Sequence, residues 1–150
     1  MSENALAERA ITKFSEGYNC AQSVLGTAFE HWNGKSELVP KIATGFGGGI
    51  GRCGSVCGAL TGGVMAIGVK YGTNKSSIEK RLKVYELSRK LYRQFELRHG
   101  SVNCRELIKY DLSNPKEFEE ARAAKISEKK CHNFIKTVME FLENLDTPYR

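Results

Sequence analysis

The chain has 150 residues, of which 41% are hydrophobic and 27% are charged, with a formal net charge of +6. This length fits one domain with a core that needs no disulfide staples. Its longest apolar run, residues 56–69, is too short and too rich in glycine to span a bilayer, and the first residues lack the basic-then-apolar pattern of a signal peptide. We therefore expect a cytoplasmic protein with no membrane partner.

The excess positive charge lies mostly in the second half of the chain, where Lys and Arg alternate with Glu. Residues 79–83 and 127–130 are the clearest examples. Mixed charge of this kind is typical of a solvated helix face. We therefore expect no nucleic-acid partner.

Helical periodicity dominates the first half and predicts an all-α fold. The first helix has an apolar face and is closed by Gly17; the face consists of Leu6, Ala10 and Phe14. A second helix ends near Asn33, and its apolar positions are Ala21, Val24, Leu25, Ala28 and Phe29. A third is predicted to start at the cap Ser36, with Pro40 in its first turn, and to run into the glycine cluster of residues 45–51.

A glycine-rich fourth helix is predicted from Arg52 or Cys53 to about Lys70. The longest helix follows, because Ser76 and Glu79 have capping-box spacing and Gly100 supplies a stop. Its predicted apolar face consists of Ile78, Leu82, Tyr85, Leu91, Tyr92 and Phe95. Another helix starts near Cys104, Asn114-Pro115 breaks the chain, and residues 116–145 form one or two more. The expected result is a compact single-domain helical bundle over residues 1–150, with the glycine-rich helix at its centre.

Five cysteines in a chain without export features indicate free thiols, since a reducing compartment disfavours disulfides. Free thiols in that setting suggest catalysis, redox switching or metal binding. The alternative is that Cys is a small core residue. The placement of several of these cysteines favours function.

A short motif occurs twice in the sequence, as Asn19-Cys20-Ala21-Gln22 and as Asn103-Cys104-Arg105-Glu106. In each case Asn is predicted to cap a helix, and Gln or Glu three residues later to complete a capping box. Both cysteines would then lie in a first helical turn. The positive end of the helix dipole would lower the pKa of their thiols.

A helix over the fourth segment would align Gly54, Gly58, Gly62 and Ala66 in a stripe of small residues. Each glycine costs roughly 1 kcal/mol in a helix, so the stripe indicates close approach of another helix or of a bound group. Gly58 and Gly62 are therefore candidate cofactor-binding residues. Cys53 and Cys57 would form the neighbouring stripe, and the role of Cys53 stays open.

The last cysteine, Cys131, follows two lysines, whose charges would favour its thiolate. His132 comes next in the chain. Neighbours on a helix diverge by about 100°, so His132 is interpreted first as a surface residue and only second as a base or ligand.

Together these segments resemble a family of redox-active proteins named for its C_GCAxxG_C_C pattern. The matching residues are 19–22, 45–49, Cys57-Gly58-Ala59-Leu60-Thr61-Gly62, 103–107 and Cys131. The resemblance implies a redox role for Cys20, Cys57, Cys104 and Cys131. A similar cysteine-bearing module accompanies the haem domains of split-Soret cytochromes, where an iron–sulfur cluster is associated with it, so the resemblance also makes a cluster an alternative.

The first functional hypothesis is an oxidoreductase that uses clustered cysteines for thiol–disulfide exchange or electron transfer. Cys57 would pair with Cys20 or Cys104, and the partner would be a redox protein or a small thiol or disulfide. The second is that Cys20, Cys57, Cys104 and Cys131 ligate zinc or an iron–sulfur cluster. The third is a non-catalytic interaction module, with the long basic helix or the glycine stripe as a homodimer interface. Both chemical hypotheses require the fold to gather the four sulfurs in one pocket.

Overall fold

The computed structural model describes residues 5–145, and within them the chain is built from helices and turns. The helices are α1 (Ala5–Ser15), α2 (Cys20–His31), a 3-10 helix (Lys41–Phe46), α3 (Gly58–Tyr71), α4 (Ile78–His99), α5 (Cys104–Ile108), α6 (Pro115–Ala123), a π-helical segment (Ser127–Cys131) and α7 (His132–Asn144). The β-type pairing among these residues is an isolated antiparallel bridge between Val56 and Asn103. The predicted all-α fold is confirmed.

The central helix is α3, which packs against α2, α4 and α7. Its glycines make this possible, because a side chain on them would collide with the neighbours. A Cβ on Gly62 would lie 2.7 Å from the Ala21 carbonyl oxygen, and one on Gly63 would lie 2.5 Å from Val138. Around these contacts the core is filled by fully buried aliphatic side chains, among them Leu25, Leu60, Ile67, Leu91, Ile135, Met139 and Leu142.

The first two helices and several caps agree with the sequence prediction. Leu6 and Ala10 of α1 are buried, and Asn19 caps α2 in a full capping box. Gly100 closes α4 with a positive φ of 85°. Asn114 accepts hydrogen bonds from the first amides of α6, which starts at Pro115.

The predicted start of the fourth helix is wrong, because α3 begins at Gly58 rather than at Arg52 or Cys53. Residues 48–52 all have positive φ, which is the opposite hand to an α-helix. Val56 then pairs with Asn103. Gly54 is therefore outside the helix, and the proposed stripe of Cys53 and Cys57 does not exist.

Two further boundaries differ from the prediction. Instead of a helix capped by Ser36, the chain makes a turn, a cis Val39–Pro40 peptide and the 3-10 helix at Lys41–Phe46. The Ser36 hydroxyl accepts a bond from the Leu38 amide, two residues away, and so supports a turn. The cap of α4 is Ser77 rather than Ser76, and it accepts from the Lys80 amide at 3.3 Å.

The predicted apolar face of α4 is correct for two of its six residues. Leu91 and Phe95 are buried together with Leu87, because α3 and α7 cover that side of the helix. The other predicted members are exposed, namely Ile78, Leu82, Tyr85 and Tyr92. The homodimer stays a prediction. Among residues 5–145, none of the helices is both long enough and apolar enough to cross a membrane.

Candidate functional site

The fold gathers four cysteines from four separate segments. Cys20 is the first residue of α2, Cys57 precedes α3, Cys104 is the first residue of α5, and Cys131 ends the π-helical segment. The side chains of Cys20, Cys104 and Cys131 line one cavity of about 520 Å³, which we call the thiol cavity. Cys57 is only 5% exposed and does not line this cavity. Its thiol nonetheless interacts electrostatically with the other three, so the four form one cluster.

Cys20 interacts electrostatically with each of the other three thiols of this cluster. Among the charges that act on Cys57, Cys104 and Cys131, that of Cys20 is the largest in each case. Backbone amides also face the Cys20 sulfur, contributed by Gly48, by Ala21 and Cys20 itself at the start of α2, and by Ala59 at the start of α3. The amide of Ala59 faces the Cys57 sulfur as well. The Ala59 amide therefore favours the thiolate form of both cysteines.

Gly58 allows the two helix starts to meet at the Cys20 sulfur. A Cβ on Gly58 would overlap that sulfur and would lie 3.0 Å from the Phe46 carbonyl oxygen. Gly62, one turn later, makes the close contact with α2 described above. The neighbour that approaches both glycines is therefore α2, and neither glycine lines the thiol cavity.

The bridge between Val56 and Asn103 fixes the backbones of two cysteines. The Cys57 amide donates to the Val102 carbonyl at 2.8 Å, and the Cys104 amide donates to the Ser55 carbonyl at 2.7 Å. Because both bonds belong to one bridge, Cys57 and Cys104 are held in a fixed relation although they are far apart in sequence.

Cys131 lies at the end of a π-helical segment and lines the cavity from there. No pattern in the sequence predicts this segment. Helix segments of this type often occur at functional sites. Lys130, on the same segment, donates to the Leu107 carbonyl at 3.3 Å and so ties the segment to α5. His132 is half-buried and contacts the edge of Phe14, so its side chain has a packing partner.

A left-handed loop forms another wall of the cavity. Residues 48–52 have φ values between 54° and 69°, including the non-glycine residues Ile50 and Arg52. A Cβ on Gly49 would lie 2.5 Å from the Ser55 carbonyl oxygen and 2.9 Å from the Cys104 Cβ, so glycine is required there. Arg52 lines the cavity and its guanidinium stacks 4.1 Å from the centre of the Phe118 ring. The glycine cluster at 45–51 was the available signal for this loop.

The predicted lowering of the thiol pKa is wrong for Cys20, Cys104 and Cys131, and the pKa of Cys57 is raised as well. Burial raises the pKa of Cys20 in spite of the amides that favour its thiolate. Burial, followed by the charge of Cys20, raises the pKa of Cys57 well above its usual range and that of Cys104 to about 11. The same two causes raise the pKa of Cys131 to about 12, although Lys130 acts in the opposite direction. Desolvation therefore outweighs the helix dipoles and cations, and the thiols are protonated at neutral pH.

The predicted symmetry between the two Asn-Cys segments is also absent. The Asn103 side chain does not cap α5 but donates to the Glu106 carboxylate at 3.3 Å, and Ser101 donates to the same carboxylate at 2.6 Å. Cys53 is exposed and does not line the thiol cavity.

The arrangement of ligands does not close around a single metal ion. Over residues 5–145, no three His, Cys, Asp or Glu side chains meet in a way that would hold one. Three cysteines nevertheless line one cavity, and thiolates are the usual ligands of iron–sulfur clusters.

Comparison with known proteins supports the reading of the motifs. Residues 18–145 match a family model described as "Putative redox-active protein (C_GCAxxG_C_C)". An uncharacterized protein of Archaeoglobus fulgidus is 33% identical over 107 residues, which cover 66% of this chain and 71% of the relative. No solved structure matches significantly. Since the family model spans most of the chain and includes all four clustered cysteines, this protein belongs to the C_GCAxxG_C_C family of redox-active proteins.

Proposed function

We propose that the protein is an oxidoreductase that exchanges electrons with a partner by reversible formation of a Cys20–Cys57 disulfide. The observation that carries the proposal is that the Cys20 sulfur lies against Gly58, the residue after Cys57, while the two thiols interact electrostatically. Cys20 lines the cavity whereas Cys57 is buried behind it. An accessible thiol beside a buried one suits the two successive steps of thiol–disulfide exchange.

Cys20 is the attacking thiol in this proposal. Cys20 lines the cavity, and backbone amides near its sulfur favour its thiolate although burial opposes it. Once Cys20 is charged, its proximity keeps the other three protonated, so the cluster presents one nucleophile at a time.

The exchange conserves atoms and electrons. The Cys20 thiolate attacks one sulfur of the partner disulfide, a mixed disulfide forms, and the first partner thiolate leaves. The Cys57 thiol then loses its proton and attacks the Cys20 sulfur, so that the second partner thiolate leaves. Two electrons and two protons pass to the partner, which becomes two thiols, and the protein holds one disulfide.

A series of redox buffers with peptide mapping would test this function. The Cys53→Ser variant is the working background, because Cys53 is exposed and outside the cavity. After equilibration we expect a reversible loss of two hydrogens per chain and a cross-linked peptide pair containing Cys20 and Cys57. Cys20→Ser and Cys57→Ser should each abolish that product, whereas Cys53→Ser alone should not. Four free thiols at every potential would disprove the proposal.

A small thiol or disulfide, or an extended segment of a redox protein, is the expected partner. The cavity volume of about 520 Å³ lies in the range of small-molecule sites. Arg52 is the charged side chain that lines it within the described part of the chain, so the partner should carry no positive charge next to its sulfur. Free thiols persist in a reducing compartment, and we accordingly infer that the protein works in the cytoplasm.

An iron–sulfur cluster in the same cavity is the second candidate. It is favoured by the three cysteines that line one cavity and by the fourth behind it. Cys20, Cys104 and Cys131 would be ligands, and the cluster would supply one-electron transfer. Anaerobic reconstitution with iron and sulfide, followed by metal and sulfide analysis, would test it. A stoichiometric cluster that is lost in Cys131→Ser but kept in Cys53→Ser would favour this candidate over the disulfide.

A further inference from the structure

A cavity that contains none of the cysteines is lined by positively charged side chains. It has a volume of about 490 Å³ and lies where the end of α4, α5, the π-helical segment and the start of α7 meet. We call it the basic pocket, and its basic lining residues are Arg98, His99, Lys129, Lys130 and Lys136. In the described part of the chain no Asp or Glu lines it.

Most of this positive charge is not neutralised by carboxylates of the chain. Arg98 has a partner in Glu140 at 3.4 Å, outside the lining. Lys130 donates to a backbone carbonyl, which carries no net charge. Lys129 and Lys136 form no ion pair with any described residue. Like charges on facing walls of a concave site repel each other, and they focus a positive potential that an anion would relieve.

The wall between these cations is preorganised by aromatic packing. His99 Nε2 and Thr137 Oγ1 are 2.8 Å apart in a hydrogen bond. The His99 ring packs against Phe95 and against the edge of Phe134, with centroid distances of 4.7 and 4.9 Å. Burial, together with the charge of Arg98, lowers the pKa of His99, so this residue is neutral at neutral pH. The lasting positive charges are therefore those of Arg98 and the three lysines.

We propose that the basic pocket binds a small polyanion of the pyrophosphate type. Its cations come from three elements: Arg98 from α4, Lys129 and Lys130 from the π-helical segment, and Lys136 from α7. Four lasting cations from three elements suit a ligand with more than one anionic group, and two linked phosphates carry more negative charge than one. The volume lies within the range of small-molecule sites. An extended nucleic acid is a poorer match, because α4 beyond the pocket carries Glu79 and Glu86 among its basic residues.

Calorimetric titration of the full chain with inorganic phosphate and with pyrophosphate, at equal ionic strength, tests this proposal. We expect pyrophosphate to bind at least about tenfold more tightly than phosphate, with an affinity that falls as salt rises. The double variant Lys129→Gln/Lys136→Gln should weaken pyrophosphate binding by roughly tenfold or more. The matched control is Lys41→Gln/Arg93→Gln, which removes the same charge away from the pocket and should change the affinity by less than about twofold.

Three outcomes would overturn the proposal. The first is no saturable binding of pyrophosphate to the folded parent protein. The second is an equal loss of affinity in the control variant, which would mean that net charge alone attracts the anion. The third is an oligonucleotide that binds more tightly than pyrophosphate and loses affinity in the same pocket variant, since the pocket would then be part of a nucleic-acid surface. The redox titration of the thiols is independent of all three.

Discussion

The contact between Gly58 and the Cys20 sulfur leads to a sharp mutational prediction. Alanine at position 58 would gain about 1 kcal/mol of helix preference. Its Cβ would, however, overlap the sulfur and lie 3.0 Å from the Phe46 carbonyl oxygen. Inserting a methyl group into packed surroundings costs about 1–3 kcal/mol. Because the cost exceeds or offsets the gain, we expect Gly58→Ala to lower the free energy of unfolding by up to about 2 kcal/mol.

Gly68 is a matched control on the same helix. It lies in α3, and a Cβ there would meet no atom within 4 Å. Gly68→Ala should therefore raise the free energy of unfolding by about 0.5–1 kcal/mol through helix propensity alone. Urea unfolding under reducing conditions would measure both variants. The opposite signs would separate the steric contact from the general preference of helices for alanine.

A double-mutant cycle would identify the obstructing atom. Cys20→Ala removes the sulfur, so Gly58→Ala should cost less in that background than in the parent. The coupling free energy should be about 1 kcal/mol or more in the direction of rescue. If Gly58→Ala were as stable as Gly68→Ala, or if the coupling were near zero, the close meeting of α2 and α3 at this sulfur would be refuted.

Three further predictions concern the rest of the site. Burial and the charge of Cys20 raise the pKa of Cys131 from 9.0 to about 12, so its contribution to the free energy of unfolding is fully present below pH 9 and is lost as the pH rises toward 12. Between pH 8 and 10.5, the free energy of unfolding of Cys131→Ser should therefore fall less than that of the parent protein. Equal slopes against pH would contradict the raised pKa. Gly49→Ala combines a positive φ with a methyl only 2.5 Å from a backbone oxygen and should cost about 2 kcal/mol or more by chemical denaturation, whereas Gly45→Ala, with open space around it, should cost little. Asn19→Ala and Asn114→Ala both remove a helix cap and should each lower the free energy of unfolding by about 1 kcal/mol. Only Asn19→Ala should change the rate of thiol alkylation, because Asn19 lines the thiol cavity; equal alkylation rates in the two variants would show that this cap does not affect the thiols.

The sequence predicts those features that depend on neighbours a few residues away. The Asn19 capping box forms because Gln22 lies one helical turn later, so the two groups meet as soon as the helix does. Gly100 ends α4 for a similarly local reason, since its φ of 85° suits glycine. The all-α class also followed from patterns in the chain, whereas the grouping of Cys20 with the other cysteines was a condition of the chemical hypotheses that the sequence alone could not establish.

Features decided by distant contacts were not predictable in the same way. The Asn103 segment forms no capping box because the Arg105 amide bonds to the Gly54 carbonyl, far away in the sequence, while the Glu106 carboxylate accepts from Ser101 and Asn103. The start of α3 is delayed by the bridge at Val56, which requires the same distant partner segment.

The wrong prediction of lowered thiol pKa values has a physical cause as well. A helix start favours a thiolate, but the sequence does not reveal how completely the thiol leaves water. Burial is the first cause of the raised pKa at Cys20, ahead of the four amides that oppose it. The exposed half of α4 is a comparable case, because the periodicity of Ile78 and Leu82 indicates an apolar face without indicating whether another helix covers it.

The separation of the two cysteines of the proposed disulfide along the chain has a consequence for the whole molecule. Cys20 and Cys57 are thirty-seven positions apart, and a cross-link over a loop of that length removes chain entropy worth about 4 kcal/mol from the unfolded ensemble. That is a large fraction of the stability of an ordinary domain. The oxidised protein should therefore resist proteolysis and heat better than the reduced protein. Each cycle of oxidation and reduction would then raise and lower the free energy of unfolding of the whole chain.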